Sequence, residues 1–234
     1  MLIGIIGAME SEVRGLISGL TGEPVVKKVG IRTFVSGKIG NTDVVICQSG
    51  VGKVNMAAMT QALIDNYHPD YLLNTGIAGS LNPAIDIGDV VLATEAVEHD
   101  MSVGPFGYPK GQVPGMDVFA FPCDEKLRKI AKESCEKVNP DIKAFEGRVL
   151  TGDIFVSDSD LKTELKDTFD GMCTEMEGAA LAHTAYVNKV PCLILRVISD
   201  KADNSAEEDY PTFEAKAAEH SLNLTKEFIR RLGE

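Results

Sequence analysis

The segment Pro191–Asp203, read as PCLILRVISDKAD, constrains this chain more than any other. Cys192–Leu195 is an unbroken apolar run, the pattern of a strand covered on both faces of an α/β sheet. Beyond it stand Arg196, Ser199 and Asp200, so charge appears where a buried strand emerges from the core. Open α/β sheets collect ligands at the carboxyl ends of their strands. A half-shielded carboxylate there can have a raised pKa and hand a proton to a substrate. The plainer alternative has Asp200 capping the next loop and Arg196 pairing with a neighbouring acid, since structural ion pairs also perturb pKa values. The segment alone leaves both open.

Strand-like runs recur along the chain. Leu2–Ile6, Ile31–Ser36, Asp43–Cys47, Tyr71–Thr75, Asp89–Thr94 and Phe145–Thr151 are predicted strands. Helical patterns lie between them. One opens after Ser49-Gly50-Val51-Gly52 and runs to about Asn66, and another spans Asp124–Lys137 with Leu127, Ile130 and Ala131 on one face. A polar helix precedes Cys173, and the small residues of Gly178–Asn188 predict a buried one. A last helix is predicted to start at Pro211, proline being a favoured first helical residue. Glu10 and Glu12 follow the first strand, where acids suit a helix N-terminus. The stretch after Thr75, Gly76-Ile77-Ala78-Gly79-Ser80, reads as a glycine-rich turn. No repeat, linker or shift in composition divides the chain, so one α/β domain is expected over residues 1–234.

Several function classes are disfavoured. With 23 basic and 35 acidic residues the net charge is −12, against the basic patches that nucleic acid and anionic membranes select. The five cysteines are scattered without a CxxC pair, which predicts a reduced, cytoplasmic compartment. The apolar N-terminus lacks a basic flank and meets Glu10 almost at once, so it is expected as a buried strand rather than a signal peptide. No run is long enough to span a membrane. Gly4 and Gly7 do not complete a dinucleotide motif, and SGVGKV lacks the first glycine and the last hydroxyl of a phosphate loop. His68, His99, His183 and His220 stand alone, so no metal is expected. The insert from His99 to about Cys123 is rich in Gly and Pro and too long for an idle connection. Val103 and Phe106 within it are odd residues to leave in water, which favours a subunit contact.

Polar groups gather at several strand ends: Glu12 near the first, Glu175 and Glu177 near another, and Arg196, Ser199 and Asp200 at the last, with Phe155 and Met176 beside them. Two carboxylates at different strand ends suit glycosidic cleavage. One acts as base on water, while the other protonates the leaving group of an oxocarbenium-like transition state. Taken singly, each acid also reads as a surface or capping residue.

The set IGAMESE, QSGVGKVN, NTGIAGSL, TEMEGAALAH and RVISDKAD resembles the 5′-methylthioadenosine/S-adenosylhomocysteine nucleosidases of the nucleoside phosphorylase/hydrolase superfamily, over essentially the whole chain. That resemblance implies a central twisted mixed β-sheet flanked by helices, a homodimer, a nucleoside substrate and no cofactor. It implies Glu12 as the base that activates water and Asp200 as the acid at adenine N7, with Ser199 positioning that carboxylate. Glu177 would grip the ribose hydroxyls as an anion, and Met176 would pack on the sugar. Phe155 would stack on adenine, Val156 would meet the base edge through its backbone, and Ala78 would line the site. Arg196 and Glu175 would surround the water and ribose. Tyr210 and Phe213 would belong to a closing loop, and Val103, Phe106 and Pro114 would enter the partner's 5′-substituent pocket. Ile77 departs from relatives that carry a serine there. A phosphorylase on the same fold and a non-catalytic nucleoside sensor are the competing expectations. The first needs several basic groups around phosphate, and only Arg196 is placed to serve.

Overall fold

The computed structural model describes all 234 residues. The first apolar run forms β1 (Leu2–Gly7), which turns at Ala8 and Met9 into α1 (Glu10–Ser18). An antiparallel meander follows, made of β2 (Thr21–Val29), β3 (Arg32–Ile39) and β4 (Thr42–Gln48). The sequence predicts no strand at β2, because a strand exposed on both faces has no apolar side to reveal it. Pro24 sits within it, a placement that an edge strand tolerates.

The Gly50–Gly52 loop leads into α2 (Lys53–Tyr67); its glycines adopt φ of 84° and 99°, which side chains disfavour. β5 (Tyr71–Ser80) and β6 (Val90–Glu98) come next. Residues 76–80, expected as a turn, are the buried second half of β5, held extended by strands on either side. The insert after β6 is irregular apart from one 3-10 turn at Gly104–Phe106, and rejoins the sheet through β7 (Phe121–Pro122). The chain continues through α3 (Glu125–Val138), β8 (Ala144–Thr151) and α4 (Ser159–Phe169). β9 (Cys173–Glu175), α5 (Gly178–Asn188), β10 (Cys192–Asp200) and α6 (Ala206–Leu232) complete it. α6 begins ahead of the predicted start at Pro211. The fixed φ of proline is helical, so it costs one backbone bond, while Glu207, Glu208 and Asp209 favour the N-terminus.

The sheet is mixed. β4, β1, β5 and β10 run parallel in that order, and β10 then meets β6 antiparallel. β6 pairs with β8, β8 with β9, and β9 returns to β5, so five strands close on themselves as a ring. β2 to β4 extend the other end as an open sheet with β2 at its edge.

Helices cover both faces, as the continuous apolar runs require. On β10, Cys192, Ile194 and Ile198 enter the core shared with α2 and α5, while Leu193, Leu195 and Val197 enter the core beneath α1, α3 and α6. The alternation is that of a strand buried on two sides. Ala179, Ala180, Ala182 and Ala185 keep α5 thin enough to lie flat on the first of these cores. All five cysteines are buried and unpaired. No helix is long and apolar enough to cross a membrane.

Candidate active site

A cavity of ≈ 190 Å³ opens where β1, β5, β9 and β10 end. Its polar wall is made by Glu12, Glu175, Glu177, Ser199 and Asp200, and its apolar wall by Met9, Val51, Ile77, Phe155, Met176 and Tyr210. β5 passes between the two catalytic candidates. A Cβ on Gly76 would lie 2.5 Å from Glu12 Oε1, and one on Gly79 would lie 2.5 Å from Asp200 Oδ1. The glycines that read as a turn are therefore clearance for two carboxylates against a straight strand.

Glu12 sits in the first turn of α1 and folds back over its start. Oε2 accepts from the N–H groups of Ala8 at 2.6 Å and Met9 at 3.0 Å, and Oε1 accepts from Ile77 N–H at 3.3 Å. The carboxylate both caps α1 and lines the cavity. Burial raises its pKa, opposed by the Arg196 charge and by those three amides.

Asp200 ends β10, where a register shift after Ile198 places it opposite Gly79. Such bulges re-aim side chains beside sites. Its Oδ1 accepts from Ala202 N–H at 2.8 Å, and Ser199 Oγ donates to Oδ2 at 2.8 Å. Burial raises its pKa despite these bonds, with Asp209 and Asp203 adding to the rise.

Glu175 is fully engaged. Oε2 accepts from Arg196 Nη2 at 2.5 Å and from the N–H groups of Glu177 at 3.0 Å and Gly178 at 2.7 Å, while Oε1 accepts from the Thr151 hydroxyl. It anchors the N-terminus of α5 and neutralises the buried Arg196. Arg196 also gives its Nε–H to Glu175 Oε2 at 3.2 Å, and its Nη groups reach Asn74 and the Leu195 carbonyl at 3.0 Å. It acts on Glu12 through its field rather than through a contact, since its one ion pair is with Glu175.

Glu177 accepts from Gly52 N–H at 2.7 Å. Burial first, and the Glu175 charge next, push its pKa up to about 8, so in the free protein it holds a proton near neutrality. The loop that supplies Gly52 is tied down through Lys53, whose N–H meets Asp153 Oδ1 at 2.8 Å and whose Nζ meets Asp100 Oδ1 at 2.5 Å.

Phe155 and Tyr210 meet edge to face, ring centroids 5.7 Å apart at 86°, and close the cavity mouth. A recess of ≈ 30 Å³ adjoins it, lined by Phe155, buried Val156, Thr174 and Asp200. Ala78 also lines the cavity. Phe213 does not: it lines a separate cavity of ≈ 730 Å³ with Ile198 and His220, on the far side of the β10 end. Val103, Phe106 and Pro114 lie outside the cavity as well, Phe106 81% exposed. Ala8, Met9, Val51, Gly79 and Thr174 line it without having been singled out in sequence. Met9 and Thr174 stand inside the motifs MESE and TEMEG, which was the available signal.

A family model described as the phosphorylase superfamily matches residues 2–230. A 5′-methylthioadenosine/S-adenosylhomocysteine nucleosidase from Exiguobacterium is 42% identical over 233 residues, covering 99% of both chains. The chain belongs to this nucleosidase family. A second member, from Chromohalobacter salexigens, is 39% identical over 232 residues, covering 99% of this chain and 97% of its own. The nucleosidase of Neisseria meningitidis, solved with methylthio-immucillin-A, superposes with a TM-score of 0.94 at 32% identity, over 98% of this chain and 99% of that one. The futalosine hydrolase of Helicobacter pylori superposes at 0.93 with 30% identity, over 99% and 98%. The single-domain α/β architecture of the family is that of this chain.

Proposed function

We propose that this chain hydrolyses the N-glycosidic bond of 5′-methylthioadenosine and S-adenosylhomocysteine, and of 5′-deoxyadenosine, releasing adenine and the 5-substituted ribose. The observation that carries this reading is the pair of buried carboxylates, Glu12 and Asp200, set against Gly76 and Gly79 of one strand in one cavity. Three residue steps along β5 set those glycines about 10 Å apart, which leaves room for water and sugar between the acids.

Adenine is a poor leaving group as an anion, so protonation at N7 lowers the barrier. Asp200, its pKa raised by burial, holds the proton to be given, and Ser199 fixes the carboxyl. Glu12 takes the proton from water; Arg196 and three amides support the ionised form that a base requires. Ribose hydroxyls donating to Glu177 favour its anion, so binding draws the proton off, and the carboxylate then faces the charge that develops on the sugar. Met176 packs on the sugar. Phe155 stacks on the base, Tyr210 covers it, and the Val156 backbone meets its edge.

Phosphate finds no seat as an alternative nucleophile. The amides of Ala8 and Met9 are taken by Glu12, and Arg196 is committed to Glu175 and Asn74.

The active form in this reading is a homodimer. Apolar side chains remain exposed beside the cavity mouth and on the insert, Val51, Val54, Phe106 and Ile154 among them. Val103, Phe106 and Pro114 complete the 5′-pocket of the partner. The unpaired cysteines fit a reduced, cytoplasmic setting.

Product analysis with purified protein and methylthioadenosine, with and without phosphate, tests the reading. Adenine and free methylthioribose at a phosphate-independent rate are expected; a sugar 1-phosphate formed only with phosphate would overturn it. A futalosine-type nucleoside run in parallel reports how wide the 5′-pocket is.

A further inference from the structure

The hydrogen bond that Glu177 Oε1 accepts comes from a loop rather than from the sheet: its donor is Gly52 N–H, at 2.7 Å. Gly52 stands at the start of α2 with φ of 99°, and no side chain of its own segment caps that helix. The first N–H groups of a helix have no partner within it. Here carboxylates from distant parts of the chain take two of them. Glu177 takes Gly52 N–H, and Asp153 Oδ1 accepts from Lys53 N–H at 2.8 Å. Asp153 also fits against the glycine itself, since a Cβ on Gly52 would lie 3.0 Å from that same Oδ1. Asp100 fixes the arrangement from the end of β6: its Oδ2 accepts from Asp153 N–H at 3.0 Å, and its Oδ1 from Lys53 Nζ at 2.5 Å.

We infer that Asp153 is a positioning residue for the ribose grip: it holds the start of α2 so that Gly52 N–H stays aimed at the Glu177 carboxylate. The inference rests on the reading in which Glu177 binds the ribose hydroxyls. An amide that donates to a carboxylate favours its ionised form, the form that accepts from those hydroxyls. Glu175 on β9 and Glu12 on α1 face Glu177 and oppose its ionisation, while Arg196 on β10 favours it from a distance. Gly52 N–H is the favourable group in contact. Without Asp153 the Gly50–Gly52 loop keeps the freedom of its glycines, and the amide loses its aim.

Kinetics with methylthioadenosine across pH, adenine inhibition constants and thermal midpoints of wild type, Asp153→Ala, Asp153→Asn and Glu177→Gln test it. Asp153→Ala is expected to raise KM about ten-fold at neutral pH, the worth of one charge-assisted hydrogen bond, with a smaller change in kcat. In wild type KM should fall as pH rises towards about 8, where Glu177 loses its proton. In Asp153→Ala that fall should move up by about one pH unit, which a merely structural role would not produce. Asp153→Asn keeps an oxygen for Lys53 N–H and should bring KM most of the way back. Adenine inhibition should hold at the wild-type value, because adenine brings no hydroxyl to Glu177. A raised KM in Glu177→Gln with a wild-type KM in Asp153→Ala overturns this inference alone, and a lowered midpoint beside it makes Asp153 only a cap for α2. A wild-type KM in Glu177→Gln overturns the ribose reading beneath it. Adenine weakened as much as the nucleoside would mean that Asp153 acts through Phe155, and would overturn the inference too.

Discussion

Arg196 and Glu175 form an ion pair 2.5 Å long whose side chains are 2% and 3% exposed, directly beneath the cavity. Removing one partner leaves an uncompensated buried charge, at about 3–5 kcal/mol. Glu175→Gln also weakens the bonds that hold the start of α5. We expect its thermal midpoint to fall by roughly 10 °C in a chain of this size, read by calorimetry. An unchanged midpoint would show that the pair does not carry the fold.

Asp200→Asn keeps the shape and the Ser199 and Ala202 neighbours but has no proton to give. Turnover of methylthioadenosine should fall by about 10²–10⁴, the usual worth of a general acid, while nucleoside binding survives. Calorimetric binding beside single-turnover rates separates the two. A wild-type rate would remove Asp200 from the mechanism.

In the proposed mechanism the pH profile of kcat/KM follows from the two raised carboxyls. Glu12 must be ionised, so activity climbs as pH rises through its pKa, above the ordinary range for a glutamate. Asp200 must be protonated, so activity declines as pH rises through its own raised pKa. Glu12→Gln should lose turnover at every pH. A rate still climbing past about pH 9 would exclude a carboxyl acid.

Glu177 carries the sharpest consequence for stability. Its folded pKa of about 8 exceeds the ordinary glutamate value of 4.5, so the folded state binds the proton more tightly than the unfolded. The contribution is fully present below the unfolded value and is lost as pH rises towards about 8. Glu177→Gln should therefore melt above wild type at alkaline pH, with the gap closing near pH 5, while KM for the nucleoside rises. Parallel melting curves at all pH values would place the proton elsewhere.

Much of this was legible in the sequence because buried parallel strands announce themselves. The apolar run before Arg196 located β10, and its polar end located Ser199 and Asp200. Residues 76–80 misled because glycine ordinarily marks a turn; here it makes space for Glu12 and Asp200, which only the tertiary contact reveals. β2 and β9 stayed hidden for opposite reasons, one exposed throughout and the other three residues long. Glu175 was legible as a strand-end acid but not as the partner of Arg196 and Thr151, which are distant in sequence. The resemblance implied a closing loop for Phe213 as for Tyr210, yet both lie on α6, whose geometry carries the two to different cavities.

The closed ring of strands also imposes a timetable. β10 must find β5 across a long loop: Ser199 and Ala78, which meet in the site, are 121 positions apart. Pairings that distant form slowly, because the entropy of closing the loop is spent before any contact rewards it. A chain emerging from the ribosome therefore has Glu12 long before it has anything for Glu12 to work with. Asp200 arrives on the last strand, and until that strand docks there is no cavity for the two carboxylates to share.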